Sequence, residues 1–216
     1  MKTKILLAIL LITQGMFSQN ENNRKIGDFK VLKAYDLVNI ELIRAEENYA
    51  EVTGEHSNNI VIKNKNGELK VRMGLERRFR GANTKVKIFY NNIDKIYVHE
   101  GVFIFSKDTI AQADIYVKAD EGARVAFILN TSTLSTNTSS GATMDLQGKT
   151  QHHRAKANTG GELKASRLET EETEVFLTTG AVADVFAKNM IEANVRAGGT
   201  INVHSKTTKI VENILA

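Results

Sequence analysis

The sequence of 216 residues contains neither cysteine nor proline. Because there is no cysteine, disulfides cannot stabilise the fold, and the free energy of folding must come from the hydrophobic core and from backbone pairing. Because there is no proline, every backbone N–H group is free to donate to a β-ladder, and the turns must use glycine and asparagine, which tolerate positive φ. These absences exclude a small scaffold held together by disulfides.

Only the N-terminus contains a long apolar run. Two lysines precede an uninterrupted apolar segment over residues 5–12, and a short segment ending in Ser18 follows. This layout is typical of a secretory signal peptide, and a run of eight apolar residues is too short to cross a bilayer of ~30 Å as a helix. We predict a signal peptide over residues 1–18, cleaved before Gln19, with a buried N-terminal strand or an uncleaved anchor as alternatives. Cleavage would leave an exported protein with no membrane span, located in the periplasm, on the outer surface or outside the cell.

Residues 93–204 contain a repeat that is anchored on glycine. Six glycines follow one another at intervals of 21, 19, 19, 20 and 18 residues. The positions five and three before each glycine, and three and five after it, are apolar in twenty-one of twenty-four cases. Period-two alternation on both sides of a glycine predicts two short strands, each with one buried face, that meet at a corner requiring positive φ. The corner glycines are Gly101, Gly122, Gly141, Gly160, Gly180 and Gly198.

A single coil of this length cannot bury its own apolar face, but stacked coils can. We therefore predict an all-β fold, a single-stranded β-helix (solenoid) of about six coils, each with a looser third side near Ile110, Leu168 or Ile191. Coils ~4.8 Å apart would form a column on the order of 29 Å tall. A meander or sandwich with regularly recurring hairpins is the alternative.

The preceding segment, residues 19–92, alternates less regularly. Asn66-Gly67, between Ile62 and Leu69, is a strong hairpin signal. We predict an antiparallel or irregular N-terminal β region that caps the open end of the solenoid, where exposed strand edges would promote aggregation. The tail, residues 205–216, is expected to cover the opposite end.

Several motifs together resemble a known family. Phe29-Lys30-Val31-Leu32, the run 37–54 and the strand–turn–strand segment 60–72 precede small-Gly-small corners. In order and spacing these motifs are similar to the putative auto-transporter adhesin, head GIN domain family, which comprises secreted proteins of Bacteroidetes-type bacteria, over residues 28–204. The resemblance implies a right-handed β-helix and brings no catalytic residues. Members tend to end the last coil with a Tyr-x-Gly-x-Pro-like turn, which this proline-free chain lacks.

Residues that could support catalysis or bind a metal are scattered. Only Asp145 and Asp184 share an offset from their glycines, and they lie two coils apart, roughly 10 Å along the stack. His152 and His153 are adjacent in sequence, so on a strand they face opposite sides and cannot easily bind one ion. The other three histidines are isolated in sequence. We predict a non-enzymatic protein without metal or cofactor.

One basic segment precedes the first coil. It contains Phe79 among its cations and only Glu76 as an opposing charge. It could contact an anionic polysaccharide, lipopolysaccharide or nucleic acid, although a solvated loop is the simpler interpretation. The net charge of +4 falls to +2 when the two lysines of the signal peptide are removed, so we expect no nucleic-acid ligand. The cations are Arg72, Arg77, Arg78, Arg80, Lys85 and Lys87.

These observations favour a cell-envelope or surface protein whose rigid solenoid presents a polar face for adhesion or scaffolding. Its partners would be surface glycans or host matrix proteins. Two alternatives stay open, namely a carbohydrate-binding or degenerate polysaccharide-processing β-helix, and a structural protein that self-associates through the ends of its solenoid.

Overall fold

The computed structural model describes residues 23–205 and 209–215, and this part of the chain is nearly all β. Sixteen strands join one sheet, accompanied by two short 3₁₀ helices, Ser57–Asn59 and Leu75–Arg77. The predicted signal peptide and its cleavage site lie outside the described residues. Within those residues, no helix is long and apolar enough to cross a membrane. The strands are β1 Asn23–Lys25, β2 Val31–Ala34, β3 Asn39–Arg44, β4 Tyr49–Gly54, β5 Ile60–Lys65, β6 Glu68–Met73, β7 Thr84–Tyr90, β8 Lys95–Val98, β9 Phe103–Ala119, β10 Arg124–Thr138, β11 Thr143–Ala157, β12 Glu162–Thr178, β13 Val182–Val185, β14 Met190–Arg196, β15 Thr200–Val203 and β16 Lys209–Leu215.

Four long strands form the middle of the molecule. Strands β9 to β12 pair with one another in parallel, so that each is one coil of the chain. Equivalent repeat positions meet in this register, since Val117 pairs with Thr136, Thr136 with Ala155 and Ala155 with Val175. Consecutive hairpins would run antiparallel, so the meander and sandwich alternatives are wrong, and the predicted β-solenoid of about six turns is confirmed. The right-handed winding implied by the resemblance stays a prediction.

Each long strand also bends, and its ladder skips one residue at the bend. In β10, buried and outward residues alternate as far as Thr131, after which Ser132 and Thr133 both face outward and Leu134 begins a new buried series. Two outward residues in succession reverse the phase of the alternation. The chain therefore turns around the core at Ser132, and its pairing with both neighbouring coils resumes at Thr133.

The third side of the coil, predicted to be loose, is a regular buried ladder. Ile110 pairs with Leu129, Leu129 with Gly148 and Gly148 with Leu168, and the three apolar side chains are at most 1% exposed. Ile191 does not belong to this ladder. It pairs with Thr173, on the far side of the bend, so its assignment to the third side is wrong.

The six repeat glycines lie at corners, and each is the second of two residues with positive φ. Thr179 and Gly180 have φ angles of 51° and 68°, and the N–H of Ala181 donates to the carbonyl oxygen of Thr178 at 3.3 Å. Positive φ at both central residues is the pattern of a type I′ turn. Neighbouring corners are also joined, because the N–H of Gly160 donates to the carbonyl oxygen of Thr179 at 3.1 Å.

Part of the N-terminal region belongs to the same stack. Strands β2 and β3 pair in parallel with β8 and β9, and the corner between them consists of Asp36 and Leu37, with φ angles of 67° and 64°. Strands β6 and β7 stack on the other side of β2 and β3, so the spatial order of the coils differs from their order along the chain. The capping role predicted for residues 19–92 stays a prediction.

Antiparallel strands occur beside these first coils. Strand β5 joins β6 through a two-residue loop, which confirms the hairpin predicted at Asn66-Gly67. Strand β4 pairs with β7, and β1 pairs with β4.

At the opposite end, β16 pairs in parallel with β14, so residues 209–215 of the predicted tail extend the stack. Ile210 on this strand is 49% exposed.

One histidine lies in the core. His153 is 2% exposed, and its Nε2 atom lies 3.0 Å from Thr136 Oγ1, whereas the side chain of His152 faces solvent beside Glu172. The opposite orientation predicted for the two histidines is confirmed. Burial lowers the pKa of His153 from 6.5 to about 4, because an imidazolium in this position would lose its hydration.

Replacement of His153 should flatten the acid dependence of stability. The folded protein takes up this proton only near its lowered pKa of about 4, whereas the unfolded chain does so near 6.5. The stability contributed by the neutral imidazole is therefore complete above pH 6.5 and falls as the pH drops towards 4. The full effect is about 3 kcal/mol. Thermal melts across this range should show a smaller loss of Tm for His153→Leu than for the wild type. The surface variant His152→Gln is the control, and equal losses in the wild type and His153→Leu would contradict the assignment.

Gly180→Val should destabilise the protein through its backbone. A Cβ atom at Gly180 meets no atom within 4 Å, so there is no steric clash. The cost arises because a β-branched residue must adopt positive φ, and we expect the free energy of unfolding to fall by about 1–3 kcal/mol. Gly180→Asn should lose less, since asparagine tolerates this region. Urea denaturation measures both variants, and equal stabilities would show that φ is not the limiting factor.

Candidate binding face

Four consecutive rungs, β6, β2, β8 and the second half of β9, present outward residues on one side of the solenoid. The register places Lys33 between Lys70 and Tyr97, and Tyr97 beside Lys118. Tyr116 packs against Tyr97, and a further tyrosine follows β2 at the corner. We call this surface the tyrosine–lysine face. It consists of Lys33, Tyr35, Lys70, Tyr97, Tyr116 and Lys118.

The period of two along each strand turns these side chains outward. Tyr97 lies between Ile96 and Val98, which are both fully buried, and Lys33 has the equivalent position on β2. Because close packing fixes the inward neighbours, the backbone beneath the outward side chains is held in place. The tyrosine–lysine face is therefore a rigid part of the sheet.

The tyrosine rings pack with one another and with the lysines. The rings of Tyr97 and Tyr116 have centroids 5.6 Å apart and are inclined by 51°. Lys33 Nζ lies 5.6 Å from the ring centroid of Tyr97, and Lys70 Nζ lies 5.7 Å from that of Tyr35. An ammonium group at this distance is attracted by the negative face of the ring. The face thus combines aromatic surface with positive charge.

Two carboxylates hold lysines of this face in position. Lys33 Nζ lies 2.7 Å from Glu68 Oε2, and Lys118 Nζ lies 2.9 Å from Asp120 Oδ2. The hydrogen bond to Glu68 raises the pKa of Lys33, and the hydrogen bond to Asp120 raises that of Lys118. Burial raises the pKa of Tyr35, so its hydroxyl keeps its proton and can act as a hydrogen-bond donor.

The same side of the later coils presents charged side chains that pair across neighbouring coils. Arg154 Nε donates to Glu174 Oε2 at 2.6 Å, and His152 Nδ1 lies 3.2 Å from Glu172 Oε2. These charges pair with each other across neighbouring coils and are partly or largely exposed. Exposed pairs of this kind contribute little to stability. The later coils therefore present these paired charges together with one lysine–aromatic contact, Lys156 over Phe176, whereas the first rungs concentrate three tyrosines and three lysines, two of which are paired with carboxylates.

One group of side chains could offer several ligand atoms to a metal. Among the described residues, His99, Asp120 and Glu121 place one ligand atom each within 4.8 Å of one another. Asp120, however, already contacts both His99 Nδ1, at 2.5 Å, and the ammonium group of Lys118. A cation beside Lys118 would be repelled, so the ion pairs account for this cluster. His99 is isolated in sequence and meets Asp120 only because they lie on adjacent coils.

A second charged group joins distant segments at the corner. Asp36 is 1% exposed, its Oδ2 accepts a hydrogen bond from the N–H of Met73 at 3.1 Å, and its Oδ1 lies 3.6 Å from Arg78 Nε. Arg78 also lies 3.5 Å from Glu100 Oε1. Burial, followed by the negative charge of Asp36, raises the pKa of Glu100. Sequence reasoning missed this group because Asp36 lies outside the glycine repeat.

The predicted basic segment is divided between three parts of the fold. Arg72 lies on β6, the next three arginines lie in the loop 74–83, and Lys85 and Lys87 lie on β7. Strands β6 and β7 are on opposite sides of the corner, so the six cations do not form one surface. Contact between this segment and an anionic ligand stays a prediction.

The two carboxylates at equivalent repeat positions are engaged in local contacts. Asp145 accepts a hydrogen bond from Arg167 Nη2 at 2.9 Å, and Asp184 Oδ1 lies 2.9 Å from His204 Nε2. The hydrogen bond with His204 lowers the pKa of Asp184. A general acid requires the opposite shift at neutral pH.

The tyrosines of the binding face were also missed by sequence reasoning. Tyr97 and Tyr116 stand four and six residues before their glycines, at outward positions of the repeat. A comparison of outward as well as inward positions would have found these two. Lys33 and Tyr35 carry no such signal, since their coil has no glycine at its corner.

Solved structures share this fold at low sequence identity. A putative adhesin from Bacteroides fragilis has a TM-score of 0.73 and 14% identity, over 88% of this chain and 94% of that one. A putative adhesin from Parabacteroides merdae has a TM-score of 0.67 and 15% identity, over 90% and 95%. A putative lipid binding protein from Parabacteroides distasonis has a TM-score of 0.66 and 14% identity, over 91% and 98%. At such identities the likeness concerns the fold alone.

The sequence itself gives the family. No curated protein matches it. A family model, described as putative auto-transporter adhesin, head GIN domain, matches residues 28–206. This match spans most of the chain and contains the six glycine corners and the strands β2 to β15. The protein therefore belongs to the putative auto-transporter adhesin, head GIN domain family.

Proposed function

We propose that this protein is an exported, non-enzymatic adhesin of the bacterial surface that binds anionic glycans on its tyrosine–lysine face. The family supports an adhesin-like role, and the predicted signal peptide supports export. The observation that supports this ligand class is the row of Lys70, Lys33, Tyr97 and Lys118 on successive rungs. In this row the ammonium group of Lys33 lies over the ring of Tyr97, and that of Lys70 lies over the ring of Tyr35.

The chemistry of this row fits an acidic sugar. The C–H groups on one side of a sugar ring pack against the negative face of an aromatic ring, while the tyrosine hydroxyl exchanges hydrogen bonds with sugar hydroxyls. Lysine ammonium groups pair with the carboxylate or sulfate groups of an acidic glycan. Because the rungs repeat every ~4.8 Å, the face offers a regular series of contacts to a polymer whose units also repeat.

Rigidity favours this mode of binding. Single exposed ion pairs are worth little, so affinity for a glycan must come from several contacts made together. Tyr97 lies between buried residues of a paired strand, so its backbone is already ordered. Association therefore costs little conformational entropy in the protein. A flat and preformed surface also leaves a glycan chain free to extend beyond the contacted units.

Tyr97→Ala should weaken the binding of an anionic polysaccharide. With heparin as the probe in isothermal titration calorimetry, we expect Kd to rise about tenfold because the stacking surface is lost, which corresponds to ~1.4 kcal/mol. Phe176→Ala is the matched control. Phe176 occupies the same outward repeat position in a later coil and has Lys156 Nζ 5.9 Å from its ring centroid, but it lies outside the tyrosine–lysine face, and its removal should leave Kd unchanged.

Three outcomes would count against this function. Equal losses in Tyr97→Ala and Phe176→Ala would show that the tyrosine–lysine face has no special role. Binding of neutral dextran as tightly as heparin would contradict the anionic ligand class. If host matrix proteins free of glycans bind and heparin does not, the partner is a protein.

A further inference from the structure

The loop 74–83 between β6 and β7 exposes two large apolar side chains. Leu75 is 77% exposed and Phe79 is 53% exposed. Among the described residues, only four large hydrophobic side chains are exposed, and these two lie in one short loop beside the same corner. Single exposed apolar residues are common on protein surfaces, but a cluster in one loop is a feature that marks interaction sites.

The loop is held in shape by contacts at both of its ends. Its first residue, Gly74, donates a hydrogen bond to the carbonyl oxygen of Asn59 at 2.7 Å. Near its other end, Gly81 packs so tightly against Asp36 that a Cβ atom would lie 2.4 Å from the Asp36 carbonyl oxygen. The N–H of Thr84 donates to the carbonyl oxygen of Gly81 at 2.8 Å. These contacts therefore hold the backbone of the loop, with its two exposed side chains, in one conformation.

Arg78 connects the loop to the corner beneath it. Its guanidinium is drawn towards the corner by the buried carboxylate of Asp36 and by Glu100, at 3.6 Å and 3.5 Å. The next residue, Phe79, then adopts a φ of 57°, which is strained for an aromatic residue. Strained residues persist where the surrounding structure imposes them, often at sites that contact a ligand. The ring of Phe79 stays 53% exposed, and the guanidinium carbon of Arg78 lies 5.2 Å from its centroid.

The charges of the loop are predominantly positive. Arg77 and Arg80 are exposed on either side of Phe79, and Glu76 is the only acidic residue between Gly74 and Thr84. Exposed apolar tips flanked by arginines are suited to the interface of a membrane, where apolar side chains enter the boundary between head groups and acyl chains. The guanidinium groups then lie at the level of the lipid phosphates and pair with them.

We infer that the loop 74–83 binds the surface of a membrane that carries anionic head groups. Leu75 and Phe79 enter the interface, and Arg77 and Arg80 contact the phosphates. A soluble anionic glycan would also attract the arginines, but it would not require two exposed apolar side chains. This site shares no residue with the tyrosine–lysine face, although both adjoin the corner at Asp36, and it does not depend on the glycan function proposed above.

The first test measures binding of the mature chain to lipid vesicles by co-sedimentation. Vesicles of phosphatidylcholine mixed with phosphatidylglycerol should bind the protein at least tenfold more tightly than phosphatidylcholine alone. The double variant Leu75→Ser, Phe79→Asn should lose about tenfold in affinity, and Arg77→Gln, Arg80→Gln should lose the preference for the anionic lipid. The control is Ile210→Ser, since Ile210 is an exposed apolar residue at the other end of the stack, and it should bind like the wild type.

The second test reports insertion directly. The chain contains no tryptophan and five tyrosines, so Phe79→Trp introduces a single tryptophan in the loop, which can be excited selectively at wavelengths that tyrosine does not absorb. Its emission should shift to the blue with the anionic vesicles and stay unchanged with heparin in solution. An unshifted emission, or equal vesicle binding by the wild type and the double variant, would overturn the proposal. Loss of heparin binding in the arginine variant without any vesicle binding would assign the loop to a glycan instead.

Discussion

The in-register stacking of coils is the constraint on which the rest of this protein depends. Strands β9 to β12 pair in parallel with equivalent repeat positions side by side, and bulges in β9 and β12 absorb their extra residues. A slip by one residue would turn every buried side chain to the surface. The corners stabilise the register, because each one has two residues of positive φ, and hydrogen bonds join the successive corners from Gly101 to Ala197. The same alternation, continued from coil to coil, therefore determines both which side chains are buried and which are exposed.

Stacking also converts a repeat along the chain into columns across a surface. Inside, the columns contain residues such as Val175 above Ala155, and dispersion and burial stabilise them. Outside, the same geometry brings Lys33 beside Tyr97 near one end, and Arg154 beside Glu174 further along. The outward columns are free to vary because they do not affect the core. One solenoid can therefore combine a solvated flank of paired charges with a face suited to a ligand.

The corners are the places where this fold accepts additional structure. Between β2 and β3 the turn consists of Asp36 and Leu37, whereas between β6 and β7 the loop 74–83 occupies the equivalent place. The insertion leaves the ladders on both sides intact, which is why repeat proteins concentrate their variation in such loops. Arg78 and Asp36 connect the inserted loop to the corner beneath it, so the loop is positioned by the stack.

Local sequence patterns were sufficient to predict the stacked coils and the positions of the glycines between their strands. They also predicted the hairpin at Asn66-Gly67 and the opposite orientations of His152 and His153. Each depends on the period of two or on glycine's tolerance of positive φ, and both are properties of a few neighbouring residues. The tertiary structure alone decided which coils are adjacent. Strand β2 lies between β6 and β8, so Lys33 meets Tyr97, and Asp36 meets Arg78, across separations in sequence that no local pattern records. The candidate binding face and the anchored loop arise from that order, because stacking, unlike alternation, is set by the fit of whole coils to one another.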